Sequence, residues 1–173
     1  TEEELVHETD EAHEFLKSVF TSQNVLTFAT PYTTITDDYK AKIEKICIAN
    51  RLGSNGKNTK LTGDLYDAKA ISFGSGRSFS EIQAHLDAYA KRGEWISILM
   101  HVISEEDVKP SEFDAMCMYL STMENTWIAS FEKVAIYAKQ LESSTLDCVA
   151  MDSEKITYRL SCSLDSDIYN IPM

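Results

Sequence analysis

Of the four histidines in the 173-residue sequence, one stands apart. His7, His13 and His85 fall on predicted helices, whereas His101 sits near the end of Glu94 to Ile103, an almost unbroken apolar run. Such a run reads as a strand buried on both faces of a parallel sheet. An imidazole titrates near neutrality, so at a strand end it can serve as general acid, general base or metal ligand, or it can be a hydrogen-bonded structural residue. Two more strand ends are informative: Thr27-Phe-Ala-Thr-Pro-Tyr32 and the stretch around Arg51. In parallel α/β folds, sites gather at such C-terminal ends. His7 and His13 are six positions apart and do not share one helical face, as a metal pair should. Gly-rich phosphate loops, His-Glu-x-x-His and Gly-x-Ser-x-Gly are all missing.

The elements that must position these residues follow from periodicity and capping. Leu5, Ala12, Phe15, Leu16 and Val19 form the stripe of an amphipathic helix over 2 to 20. Val25 to Thr30 is β-prone and is closed by Pro31. Thr36 can cap a helix reaching Ile46, and 47 to 50 reads as a short strand. Residues 52 to 63, rich in Gly, Asn, Ser and Lys, read as a loop, and 68 to 73 as a strand. Gly74 and Gly76 make a turn, Ser78 and Glu81 have capping-box spacing for a helix to about Lys91, and Gly93 suits its left-handed end. Pro110 opens a further helix with Phe113, Met116, Cys117, Leu120 and Met123 on one face. Trp127 to Ser130 reads as a strand, Phe131 to Leu141 as a helix, and 145–151 with 155–163 as a hairpin around Asp152-Ser153. Strands alternating with helices predict a parallel α/β sheet or barrel, in one domain covering 1–173.

Composition bounds the function. The formal charge of −12 and the lack of a basic stripe argue against nucleic acid. No apolar run approaches the roughly 20 residues of a membrane span, and no leader pattern is visible. The four cysteines lie far apart, which disfavours structural zinc. Buried free thiols are expected, and a Cys148–Cys162 bridge across the hairpin is conceivable.

Read together, the strand ends resemble the polysaccharide deacetylase family, the NodB-homology fold of carbohydrate esterase family 4. Thr27-Phe-Ala-Thr-Pro-Tyr32 is similar to its motif Arg-x-Pro-Tyr, and Leu99-Met-His101 to its Leu-x-His motif, here preceded by Gly93-Glu-Trp-Ile. Pro110-Ser-Glu-Phe113, the stretch Thr126 to Tyr137 and the ending Tyr169-Asn-Ile-Pro-Met173 also resemble later parts of that domain. The resemblance implies a partial, distorted (β/α) barrel of the polysaccharide deacetylase type ending in a β-hairpin. It implies hydrolysis of N-acetyl or O-acetyl groups on a polysaccharide or oligosaccharide, an extracellular or cell-surface setting, and a divalent metal, zinc in many such enzymes. In these roles Tyr32 offers its backbone N–H to the oxyanion, His101 protonates the leaving group, and Leu99 and Pro31 line the substrate pocket.

The departures are equally specific. The family's Thr-Phe-Asp-Asp motif, which supplies the base and metal aspartate, and its His-Ser/Thr-x-x-His/Asp motif are both missing. The metal ligands are therefore not in this chain, which is expected to be the C-terminal two-thirds of a deacetylase domain. Ala29 stands where many members have Arg, and Thr33 where Gly is common. The alternative is a catalytically inactive carbohydrate-binding or interaction module of the same fold, with Tyr32, Tyr66 and Trp95 able to stack on sugar rings.

Overall fold

The computed structural model describes residues 1–52, 61, 63–74 and 76–172. Most of the loop expected at 52–63, and Met173 of the closing motif, lie outside the described residues. Helix α1 (Glu2–Val6) runs through a π turn (His7–Glu11) into α2 (Ala12–Val19), so the helix expected over 2–20 forms with one widened turn. Thr9, buried in that turn, donates its hydroxyl to the Leu5 carbonyl at 2.6 Å, a side-chain bond that competes with the backbone ladder.

Four short strands follow: β1 (Thr27–Ala29), β2 (Ala49–Arg51), β3 (Ile71–Ser72) and β4 (Ile98–Leu99). β1 pairs with β2 and β3 with β4, both parallel. The Arg51–Ala68 bridge, with the Leu52 N–H donating to the Ala68 carbonyl at 2.8 Å, carries pairing from β2 to the segment ending in β3. Helix α3 (Asp37–Ile46) links the first pair and α4 (Phe79–Ala90) the second; α5 (Pro110–Ser121) and α6 (Phe131–Ser143) come next. An antiparallel hairpin, β5 (Ser144–Met151) and β6 (Ile156–Cys162), follows them. The result is a mixed α/β fold of parallel strand pairs alternating with helices, and among the described residues no barrel closes.

Local signals explain most boundaries. The Thr36 hydroxyl accepts from the Tyr39 N–H at 3.3 Å, Ser78 and Glu81 form the reciprocal capping box, and Gly93 ends its helix at φ 63°. Strand alternation then divides the parallel array into two faces. Phe28, Thr30, Asn50, Ile71, Phe73, Ile98 and Met100 lie on one: Phe28 meets Tyr39 of α3 edge-on, while Ile71, Phe73, Ile98 and Met100 pack with Ile82, Leu86 and Met116 of α4 and α5. Ala29, Ala49, Arg51, Ala68, Ser72 and Leu99 belong to the other. There Ala49 packs against Ala135 and Ala138 of α6, three methyl-sized residues that let helix and strand approach closely.

Three expectations are corrected. The run Glu94 to Ile103 pairs as a strand only at Ile98–Leu99, half-buried, because its second face is not fully covered. Trp127 to Ser130 forms no strand; Trp127 instead sets its ring edge-on to Tyr137 of α6 at 5.4 Å, so the segment docks on the helix and not on a ladder. The hairpin register places Cys148 opposite Tyr158 and Cys162 opposite Ser144, four positions away. At about 3.4 Å per residue that is roughly 13 Å, too far for a disulfide. All four cysteines are free; Cys47 is buried, and the other three are exposed, contrary to the expectation of buried thiols.

Gly74, just past β3, adopts φ 135°, and a Cβ at this position would clash with the Asp107 carboxylate. Asp107 belongs to the loop after β4, where its Oδ2 accepts from the Val102 N–H at 3.3 Å. The end of β3 thus supports the loop that follows His101. Gly74→Ala is expected to cost about 1–3 kcal/mol in chemical denaturation. In an Asp107→Ala background the cost should shrink to the backbone part alone; an unchanged cost in that background would show that Asp107 is not the obstacle.

Candidate functional site

The floor of the site is a buried polar chain. Thr30 and Asn50 are 2% and 0% exposed. The Thr30 hydroxyl donates to Asn50 Oδ1 at 3.0 Å, and Asn50 Nδ2 donates to the Tyr66 carbonyl at 3.1 Å. The Tyr66 hydroxyl in turn donates to the Cys47 carbonyl at 2.9 Å. The Thr30 N–H also donates to the Arg51 carbonyl at 3.0 Å, so β1 and β2 are tied to their last residue by both backbone and side chains. Polar groups with no access to water hold position only when bonded, and here each one named is. Burial raises the Tyr66 hydroxyl above its ordinary range and pushes the Cys47 thiol up to about 11, which leaves that thiol protonated and unreactive at neutral pH.

On this floor the chain turns sharply. Pro31 opens a 3₁₀ turn (Pro31–Thr33), and Tyr32 inside it takes φ 54°. Left-handed backbone is strained for a residue with a Cβ, and it persists only where the surroundings over-determine it. The Tyr32 side chain is 96% exposed and contributes no packing to hold the turn. The turn's conformation therefore comes from Thr30 below and Pro31 beside it. As second residue of a 3₁₀ turn, Tyr32 has no carbonyl within it to receive its N–H, which leaves that donor at the strand end.

β4 brings the second part. The Phe73 N–H donates to the Leu99 carbonyl at 2.8 Å, fixing Leu99 beside Ser72. Leu99 is half-buried; His101, two residues on, is exposed and lies just past the strand, a correction to its expected place within a buried one. Since Ile98 and Met100 pack into the core on the opposite face, Leu99 shares the face bearing Arg51, and His101 follows in the bend just past the strand end.

The four residues given deacetylase roles thus lie at the C-terminal edge of the parallel array, Pro31 and Tyr32 after β1, Leu99 and His101 at and just past β4. Two strands intervene, and three spacings of about 4.8 Å separate the ends by roughly 14 Å on a flat sheet, less on a curved one. Arg51, named in sequence only as part of a strand end, belongs to this set; its signal was a cation at the end of a short strand. Tyr66 and Trp95 have other duties. Tyr66 is tied to Cys47 and lies under Lys139, whose Nζ is 5.6 Å from the ring centroid, while Trp95 packs on Phe131 at 5.2 Å.

The donors do not fit a metal. Among the described residues no three His, Cys, Asp or Glu are placed to hold one, and His101 is the one histidine on this edge. Among the described residues, no helix is long and apolar enough to cross a membrane. Comparison with protein-family models, curated proteins and solved structures finds no match. The site must be read from its own geometry.

Two stability tests address the floor. Asn50→Ala removes the acceptor of Thr30 and the donor to Tyr66 and should cost about 2–4 kcal/mol in urea or thermal unfolding. Tyr32→Gly relieves the left-handed strain without loss of packing and should raise stability by about 0.5–1 kcal/mol. A loss of stability in Tyr32→Gly would mean that the exposed ring holds the turn.

Proposed function

We propose that this chain forms the oxyanion-binding and acid-bearing part of a polysaccharide deacetylase, an enzyme that hydrolyses N-acetyl or O-acetyl groups on a glycan. The observation that carries the reading is the strained Tyr32 turn sharing one strand edge with Leu99 and His101. Acyl hydrolysis needs a fixed N–H donor where negative charge develops and an acid for the leaving group. The Tyr32 N–H meets the first need, because its geometry is set before substrate arrives. His101, exposed and carried by a strand end, meets the second, and Leu99 offers an apolar patch for the acetyl methyl group. Base and metal ligands come, in this reading, from the Thr-Phe-Asp-Asp and His-x-x-x-His elements of the resembled family, encoded outside these residues.

The reading also takes the strands as an arc of a distorted (β/α) barrel, with the Arg51, Leu99 and His101 face toward the axis. Curvature is required, since Tyr32 and His101 act on one acetyl group only if the arc draws their ends together. Helix α6 covers the lower part of that face through Ala135 and Ala138, leaving the C-terminal edge for ligand.

The Tyr32 ring, 96% exposed and able to stack on a sugar face, favours a second reading, a glycan-binding module without turnover. One experiment separates them. Acetate release from acetylated chitin and xylan oligomers is measured with zinc, on the protein expressed from its native reading frame. The deacetylase reading expects turnover, and His101→Ala should lower kcat about 10²-fold while leaving ligand affinity near normal. Binding without acetate release would establish the module instead, and turnover that survives His101→Ala would remove His101 from the chemistry.

A further inference from the structure

Arg51 is a half-buried cation with no acidic partner among the described residues. Each ion pair among the described residues involves other groups, and burial alone lowers its guanidinium pKa, with no nearby carboxylate opposing the shift. The sequence extends this beyond the described residues: 53–60, Thr62 and Ser75 contain no Asp or Glu. Half-buried charges are normally paired, because lost hydration is otherwise uncompensated. Arg51 carries that penalty at the C-terminal edge that also bears Tyr32, Leu99 and His101.

The strand partners of Arg51 leave its charge unopposed. Its register partner on β1 is Ala29, and its partner on the other side is Ala68. Both are methyl-sized and uncharged, so neither pairs with the guanidinium or competes with it for an anion. One fixed positive charge with a planar donor fork matches a planar monoanion, and a carboxylate accepts two parallel N–H bonds from it. The protein's net charge of −12 repels anions in general, so any anion held here is held by this local group.

We propose that Arg51 binds a carboxylate at the strand edge. Two sources share that chemistry: the acetate released by deacetylation and the carboxylate of an acidic sugar in the glycan. The choice between them rests on the deacetylase reading, whereas the anion site itself does not.

The test uses the whole chain and four probes. Sodium acetate is titrated while the Arg51 Nε–Hε resonance is followed by NMR; a saturable shift is expected, and inorganic phosphate should displace acetate only weakly. A glucuronic-acid-bearing xylo-oligosaccharide and its neutral counterpart are compared by calorimetry. The acidic one should bind about tenfold tighter, the scale of a charge-assisted pair. Arg51→Gln should abolish that preference while sparing neutral binding, and Arg51→Lys should restore part of it. An acetate shift without preference for the acidic sugar assigns the site to the product, and an acetate shift with no glycan binding keeps the anion site while ending the glycan reading. The proposal is overturned if acetate leaves Arg51 unmoved and acidic and neutral sugars bind alike, if the preference survives Arg51→Gln, or if phosphate binds more tightly than acetate. Should Arg51→Gln fail to fold, the wild-type acetate shift decides alone.

Discussion

The buried hydrogen-bond chain from Thr30 through Asn50 and Tyr66 to the Cys47 carbonyl is the interaction on which the site depends. It joins β1, β2 and the connection to β3 at one level, immediately beneath the strand ends. A polar chain inside a small domain is worthwhile only when each member is satisfied, because one orphaned group costs more than a bond contributes. Here that condition is met, and the reward is positional. The strained Tyr32 turn above it is held without help from its own side chain, and the Arg51 backbone is fixed by the Thr30 N–H.

The two faces of the array divide the labour. The face of Phe28, Ile71, Phe73, Ile98 and Met100 builds a conventional core with α3, α4 and α5. The opposite face carries alanines at 29, 49 and 68, and α6 settles on it at Ala49 through Ala135 and Ala138. That leaves the upper edge open, where residues become progressively more exposed from Ala49 through Arg51 and Leu99 to His101. The same alanines leave Arg51 without a charged strand neighbour. Close helix packing on one part of the face and an unopposed cation on another thus arise from one sequence feature, alanine at 29, 49 and 68.

Locally encoded features were legible from sequence. Thr36, the Ser78 and Glu81 pair, Gly93 and Pro110 act within one turn of the chain, and each forms as its residue type dictates. Features set by tertiary contact were not. Trp127 has the β-prone character of a strand, yet its ring finds Tyr137 before any ladder partner. The apolar run to Ile103 implied burial of His101, but burial depends on what covers the second face, and nothing in the run encodes that. The π turn at His7–Glu11 turns on one Thr9 hydroxyl reaching the Leu5 carbonyl, a competition that spacing cannot reveal. Arg51 was visible as a strand-end residue, whereas its lack of a partner is a property of the fold.

The central claim is that the C-terminal edge of the parallel array, and no other surface, receives an acetylated glycan. A rival location exists: a largely apolar groove of about 500 Å³ bounded by Trp95, Met100, Met116, Trp127 and Phe131. The most direct measurement is a backbone amide shift map during titration with N-acetylated chitin oligomers. The account predicts saturable shifts at Tyr32, Thr33, Arg51 and Leu99 to Val102, with the groove residues unmoved. Shifts confined to Trp95, Met116 and Trp127, or to the hairpin, would contradict it.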